Sequence, residues 1–401
     1  MARFDPTKLD RIATWMQSYV DRKRFAGCAT LIQQDGTEAY YHDTGLRDVE
    51  NGVPWHRDTV ARIYSMTKPV TSVALMMLAE RGLFHLEAPV SEFIPSFANP
   101  TCLIEGATAL DQVAPCAPPT LHQLLTHTSG LSYPFNPGIL AEEMGARQIM
   151  FGPKAQSLTE MVDDLAALPL AFRPGSRWEY SVSIDVIGRV IEVVSGKSLA
   201  AFFDEEIIGP LGMVDTGFTV SEAAANRFAA CYTPLDGDSF QLDNPALAQD
   251  SLRVTDPAAG SPYNTSTMHS GGGGLVSTID DYMIFAEMLR TGGRGLISPA
   301  TLAFMMRNHL SGDIASMGPT SFAEQPMEGM GFGIGGAVVL DPGRARSPGS
   351  VGDFSWGGMA STFFWVDSVH DLSVIFFTQL IPSSAYPGRP QLKQLVHGAL
   401  T

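Results

Sequence analysis

Ser65 and Lys68 stand three residues apart in "RIYSMTKPVTSVALMMLAERG" (62–82), and that pairing is the strongest chemical signal in the chain. Val70, Val73, Ala74, Met77 and Leu78 fall at helical spacing, and Leu75 and Met76 widen the apolar face, so the stretch reads as a buried helix. A three-residue step on a helix brings two side chains to one face. The helix N-terminus adds unpaired N–H groups and a positive dipole end, which favour an alkoxide or oxyanion. Burial disfavours an ammonium, so Lys68 is a candidate proton acceptor for the Ser65 hydroxyl. Pro69 costs little in a first turn. The plainer reading is an N-cap serine beside a snorkelling lysine, and S-x-x-K alone does not separate the two.

The flanking sequence supplies the elements that must position such a pair. Residues 5–23 read as an amphipathic helix capped by Asp5, with Pro6 at its first position and Leu9, Ile12, Met16 and Tyr19 buried. "GCATLIQQDGTEAYYHDTG" reads as two strands joined by a turn at Asp35-Gly36. From Leu83 to about residue 325 helix signals and proline-rich loops dominate, as in "APCAPPT" (114–120). Strand signals return in "FGIGGAVVLD", "MASTFFWVD" and "DLSVIFFTQL", and "GRPQLKQLVHGAL" reads as a closing helix. The expectation is an α+β fold: one antiparallel sheet built from both chain ends and flanked by helices, with a mostly helical subdomain inserted. Residues 1–82 and 325–401 then form the sheet-bearing part, and 83–324 the helical part. Residues 134–160 and 236–268 read as long irregular insertions at the rim of a site.

Composition narrows the ligand. A net charge of −16 and a pI near 4.9 argue against nucleic acid or an anionic membrane surface as partner, and favour a small neutral or apolar molecule. The N-terminus has no signal-peptide layout, and no run of 18 apolar residues occurs, so a cytoplasmic location without membrane insertion is expected. Cys28, Cys102, Cys116 and Cys231 show no C-x-x-C spacing and read as reduced, buried thiols. "GFGIGG" (331–336) leads into Ala-Val-Val-Leu, a strand and not a phosphate-binding helix. "GGGG" (271–274) reads as a loop before a helix at 279–290. His122 and His127 are five apart, off the spacing that aligns two ligands on a helix, and no H-E-x-x-H occurs. No complete G-x-S-x-G supports an α/β-hydrolase elbow. Asn264 heads a glycosylation sequon without meaning in a cytoplasmic protein.

"PPTLHQLLTHTSGLSYPF" (118–135), "FRPGSRWEYSVSIDVIGRVIEVVSGKSL" (172–199), "IIGPLGMVDTGF" (207–218) and "HSGGGGLVSTIDDYMIFAEML" (269–289) resemble serine β-lactamases and penicillin-binding-protein-like enzymes in order and spacing. "SMTKPVTSVALMMLAERG" and "SWGGM" (355–359) resemble family VIII carboxylesterases and the related acyltransferase of statin precursors. The resemblance, from about residue 10 to 380, implies Ser65 as nucleophile, Lys68 as its paired lysine and Tyr180 as general base. It implies Trp356, Gly357 and Gly358 on a substrate-binding edge strand, an oxyanion hole from the N–H groups of Ser65 and Met359, and Tyr133 lining the pocket. Neither a metal nor an organic cofactor is implied. Val182 stands where the family's Y-x-N motif has asparagine, and Trp356 where Lys-Thr-Gly has lysine. Both departures weigh against β-lactam hydrolysis. The expected activity is serine carboxylester hydrolysis of short-chain or small apolar esters, with acyl transfer to alcohols. The alternatives are a β-lactamase or D,D-peptidase, and a non-catalytic binding protein on the same fold.

Overall fold

The computed structural model describes residues 4–150, 152–236, 252–323 and 325–401. Its frame is an eight-stranded antiparallel sheet drawn from both ends of the chain. The N-terminal strands are β1 (Gly27–Gln34), β2 (Thr37–Asp48) and β3 (Val53–Pro54). The C-terminal strands are β4 (Met330–Phe332), β5 (Ala337–Val339), β6 (Phe354–Gly357), β7 (Phe363–Asp367) and β8 (Leu372–Thr378). They lie in the order β4-β5-β6-β7-β8-β1-β2-β3, with the two chain ends joined where Cys28 pairs with Thr378 and Gln34 with Leu372. Asp35 and Gly36 both have positive φ, 53° and 72°, the geometry that a two-residue hairpin turn between β1 and β2 requires.

Strand alternation sends apolar side chains to both faces. Cys28, Ile32, Phe363, Trp365, Val374 and Phe376 face a layer made by α1 (Pro6–Asp21) and the closing helix. Ala29, Leu31, Phe364, Val366, Ile375 and Phe377 face the main core. α1 is capped by Asp5, starts at Pro6 and buries Leu9, Ile12, Met16 and Tyr19, as its spacing predicts.

The main core is organised around α2 (Thr67–Glu80), in which every residue from Thr67 to Leu78 is buried. Neighbouring helices are α3 (Leu121–Leu125), α4 (Ile139–Ala146), α5 (Leu158–Ala166), α6 (Ser183–Ser195) and α7 (Ile279–Arg290). α6 packs along α2, and α7 packs on β7 and β8. The closing helix is α8 (Gly388–Ala399).

Three expectations need correction. Ser65 does not open the α-helix: it sits in a separate 3-10 turn, Tyr64–Met66, and the α-helix starts at Thr67. Tyr64 has φ 42°, a left-handed conformation that bends the chain just before the serine. The stretch 134–160 is not irregular throughout, because α4 and the start of α5 fall in it. In 236–268, Arg253–Asp256 forms a strand paired with Cys231–Thr233, while residues 237–251 lie outside the described residues. The four cysteines are free thiols. "GFGIGG" spans the β4–β5 hairpin, where a side-chain carbon at Gly331 would lie 2.5 Å from Asn308 Oδ1 and one at Gly336 2.6 Å from the Phe354 ring.

Candidate active site

The serine turn is fixed by its backbone neighbours. Ala61 and Arg62 pair with Ser277 and Val276, and Ile63 N–H donates to Leu275 O at 3.1 Å. Arg62 is wholly buried yet satisfied: its Nε donates to Asp256 Oδ2 at 2.7 Å and its Nη1 to Ala229 O at 2.6 Å. Tyr282 Oη, from α7, donates to Met66 O at 2.8 Å. Such a brace fixes where the Ser65 hydroxyl can be.

Lys68 is 1% exposed and does not snorkel. Its Nζ lies 3.2 Å from Ser65 Oγ, 2.9 Å from Tyr133 Oη and 2.7 Å from Gly272 O. The same nitrogen stands 4.5 Å from the centroid of the Tyr180 ring. Desolvation pushes the Lys68 ammonium down to about 7, opposed by the charge of Asp185. Ser65 makes no cap bond to the helix, so the N-cap interpretation fails.

Tyr180 precedes α6 and is nearly buried. Burial raises its phenol above the ordinary range, while Ser65 and Trp356 pull it back. Neither completes a hydrogen bond: Tyr180 Oη and Trp356 Nε1 are both buried without a partner. Trp356 is 5.4 Å from Tyr180 between ring centroids and stacks on Phe322 at 6.0 Å and 14°. His127, also singled out above, packs its ring 4.9 Å from Tyr180 and so backs the phenol.

β6 brings Trp356, Gly357, Gly358 and Met359 alongside the serine turn. Gly358 N–H donates to Thr362 O at 2.7 Å, and a side-chain carbon at Gly358 would lie 2.3 Å from Ile63 O. Only glycine lets the strand end come this near the backbone before Ser65. Among the described residues, no acceptor engages the backbone N–H of Ser65 or of Met359.

Ser65, Tyr180, Trp356, Gly357, Gly358 and Met359 share the wall of a cleft of about 920 Å³ with Phe135 and Phe322. Tyr133, expected on that wall, is 0% exposed and lies behind it, stacked on Phe135 at 4.7 Å with its hydroxyl turned to Lys68. Three participants were not legible. Gly272 belongs to a run that reads as loop, Asp185 falls within helical periodicity, and Arg389 comes from the closing helix. Arg389 lines the cleft because Gly357 has no side chain: a carbon there would lie 2.1 Å from Arg389 Nη2. With the amide of Gln325 turned to satisfy its neighbours, its oxygen accepts from Arg389 Nε at 3.0 Å and Nη1 at 2.7 Å. A cation thus reaches the cleft beside Trp356.

An antiparallel sheet flanked by helices, with S-x-x-K where the central helix meets the sheet, defines the serine β-lactamase and transpeptidase class of fold. The chain belongs to the Beta-lactamase family, whose model matches residues 12–397. It is 34% identical to Protein Rv1367c of Mycobacterium tuberculosis (strain ATCC 25618 / H37Rv), over 96% of this chain and 95% of that protein. It is 33% identical to Esterase EstB of Burkholderia gladioli, again over 96% and 95%. Among solved structures, EstCE1, a hydrolase with promiscuous acyltransferase activity, matches with a TM-score of 0.80 at 28% identity, covering 98% of this chain and 99% of that one. Among the described residues no helix is long and apolar enough to cross a membrane.

Proposed function

We propose that the protein is a serine carboxylesterase of the family VIII type, hydrolysing short-chain or small apolar esters through an acyl-enzyme on Ser65. Acyl transfer to an alcohol follows the same route when an alcohol replaces water. The observation that carries this reading is the buried Lys68 amine, 3.2 Å from Ser65 Oγ and brought down to about 7. A lysine at that value is about half in its free-base form at neutral pH, where an ordinary lysine is almost wholly ammonium. The esterase and hydrolase relatives support the same chemistry.

Lys68 takes the proton as Ser65 Oγ attacks the ester carbonyl. The N–H groups of Ser65 and Met359 hold the oxyanion. Burial keeps Tyr180 as the phenol, so it relays a proton to the leaving alkoxide and is not itself the base at rest. Water or an alcohol then attacks the acyl-enzyme by the reverse proton path. Trp356 and Phe322 give the cleft an aromatic wall suited to a neutral acyl or alkoxy group. A non-catalytic binding protein would have no use for Ser65, Lys68 and Tyr180 together.

Intact-mass analysis after treatment with a serine-reactive phosphonate tests this reading. One adduct on Ser65, absent in Ser65→Ala along with ester turnover, is expected. An adduct on Ser129 or Ser181 instead overturns it.

A further inference from the structure

Asp185 is a buried carboxylate that the chemistry above leaves unused. It lies in the first turn of α6, five residues after Tyr180, and is 0% exposed. Its Oδ1 accepts from Ser270 Oγ at 2.5 Å and from Gly272 N–H at 3.1 Å, while Oδ2 has no hydrogen-bond partner. Gly272 in turn offers its carbonyl to Lys68 Nζ at 2.7 Å. One residue is therefore held on its N–H by the acid and on its C=O by the lysine. Glycine is required at that point, because a side-chain carbon would lie 2.3 Å from Asp185 Oδ2.

A loop anchor alone does not need a charge, since a neutral amide accepts the same two hydrogen bonds. Burying a carboxylate with one oxygen unpartnered costs far more than burying an amide. The charge itself is what calls for a function. Burial raises the Asp185 carboxyl, and the charge of Lys68 is the foremost influence that holds it down; Asp185 in turn favours the protonated form of Lys68. We propose that Asp185 is a positioning residue for Lys68: it fixes the Gly272 carbonyl that holds Lys68 beside Ser65, and its carboxylate, on the other side of Gly272, opposes the charge that Lys68 gains and loses.

This rests on the roles proposed for Ser65 and Lys68. The other titratable groups facing the pair are Tyr133, Tyr180, His127 and Lys154. Burial keeps both tyrosines phenolic and His127 neutral, and half-buried Lys154 is the second cation that feels Asp185. Removing the Asp185 charge therefore favours neutral Lys68, which moves the acid limb of kcat/KM to lower pH.

The test compares wild type, Asp185→Asn and Ser270→Ala on a p-nitrophenyl ester between pH 5 and 9, with melting curves. Asp185→Asn is expected to lower the acid limb by roughly one pH unit, the low end of what one opposite charge does. Ser270→Ala, which removes a donor but no charge, is expected to hold the limb in place. An Asp185→Asn limb that coincides with wild type overturns the proposal, whatever happens to kcat or melting. Should Asp185→Asn not fold, Asp185→Ser is read the same way against the charge-retaining Asp185→Glu. Wild-type turnover and the Ser65 adduct keep the outcomes apart. If both are present and the limb does not move, only the role of Asp185 fails. If both are absent, the esterase reading fails first.

Discussion

Lys68 lies over the face of the Tyr180 ring: its nitrogen is 4.5 Å from the ring centroid, and the phenol oxygen has no hydrogen-bond partner of its own. The two side chains come from separate segments, and both lie beside Ser65. Groups that pass one proton between them act as a unit, and their losses do not add. Lys68→Ala and Tyr180→Phe are each expected to lower kcat on an activated ester by roughly three orders of magnitude or more, near the upper range for general acid–base catalysis. The double variant is expected to lose little beyond either single one. Multiplying losses would assign the residues to separate steps.

The second prediction concerns pH. Lys68 must be neutral to accept the Ser65 proton, and burial brings it to about 7. Below that value the ammonium accumulates, so kcat/KM is expected to fall about tenfold per pH unit towards acid and to level off above it. A pH–rate profile from 5 to 9 measures this. A profile flat down to pH 5 contradicts a lysine base.

Gly358→Ala probes the approach of β6 to the serine turn. The new carbon would meet Ile63 O at 2.3 Å and Thr362 Oγ1 at 2.4 Å, and neither the backbone nor the short side chain yields easily. Relief requires the strand end to move away from Ser65, taking the Met359 N–H with it. Loss of one oxyanion donor costs roughly a hundredfold to a thousandfold in kcat. Single-turnover acylation should slow by that order, while circular dichroism stays close to wild type. Unchanged acylation would remove Met359 from the oxyanion hole.

Substrate choice provides the fourth test. Trp356 and Phe322 form an aromatic wall, and the motif resemblance sets Trp356 where β-lactamases are expected to carry a lysine. Short p-nitrophenyl esters are expected to exceed a chromogenic cephalosporin at least a hundredfold in kcat/KM, roughly 3 kcal/mol of transition-state binding. Arg389 is, with Arg177, a cation at the cleft that a lactam carboxylate could meet, so Arg389→Met should widen the gap and Trp356→Lys narrow it. Equal efficiency on both substrates in the wild type would restore the β-lactamase assignment.

What the sequence determined by itself was local and periodic. Apolar spacing gave α1 with its Asp5 cap and the buried body of α2, and alternation gave the strands at both chain ends. The S-x-x-K step paired Ser65 with Lys68, because two residues at a short fixed interval leave a trace in the chain, and only the motif resemblance of 172–199 added Tyr180. Tertiary structure decided the rest, because those contacts join residues far apart in sequence. The Ser65 turn is entered through a left-handed Tyr64, and the pairing of 61–62 with 276–277, the buried Arg62 and the Tyr282 bond to Met66 O brace it. Tyr133 turned out to face Lys68 and not the cleft, since stacking on Phe135 decides which way a buried ring points. Gly272 and Asp185 carry no motif: a backbone carbonyl has no residue type, and an acid on a helix becomes special only when folding removes it from water. Arg389 reaches the cleft through the space a glycine leaves 32 positions earlier, a relationship that steric contact creates and no spacing rule encodes.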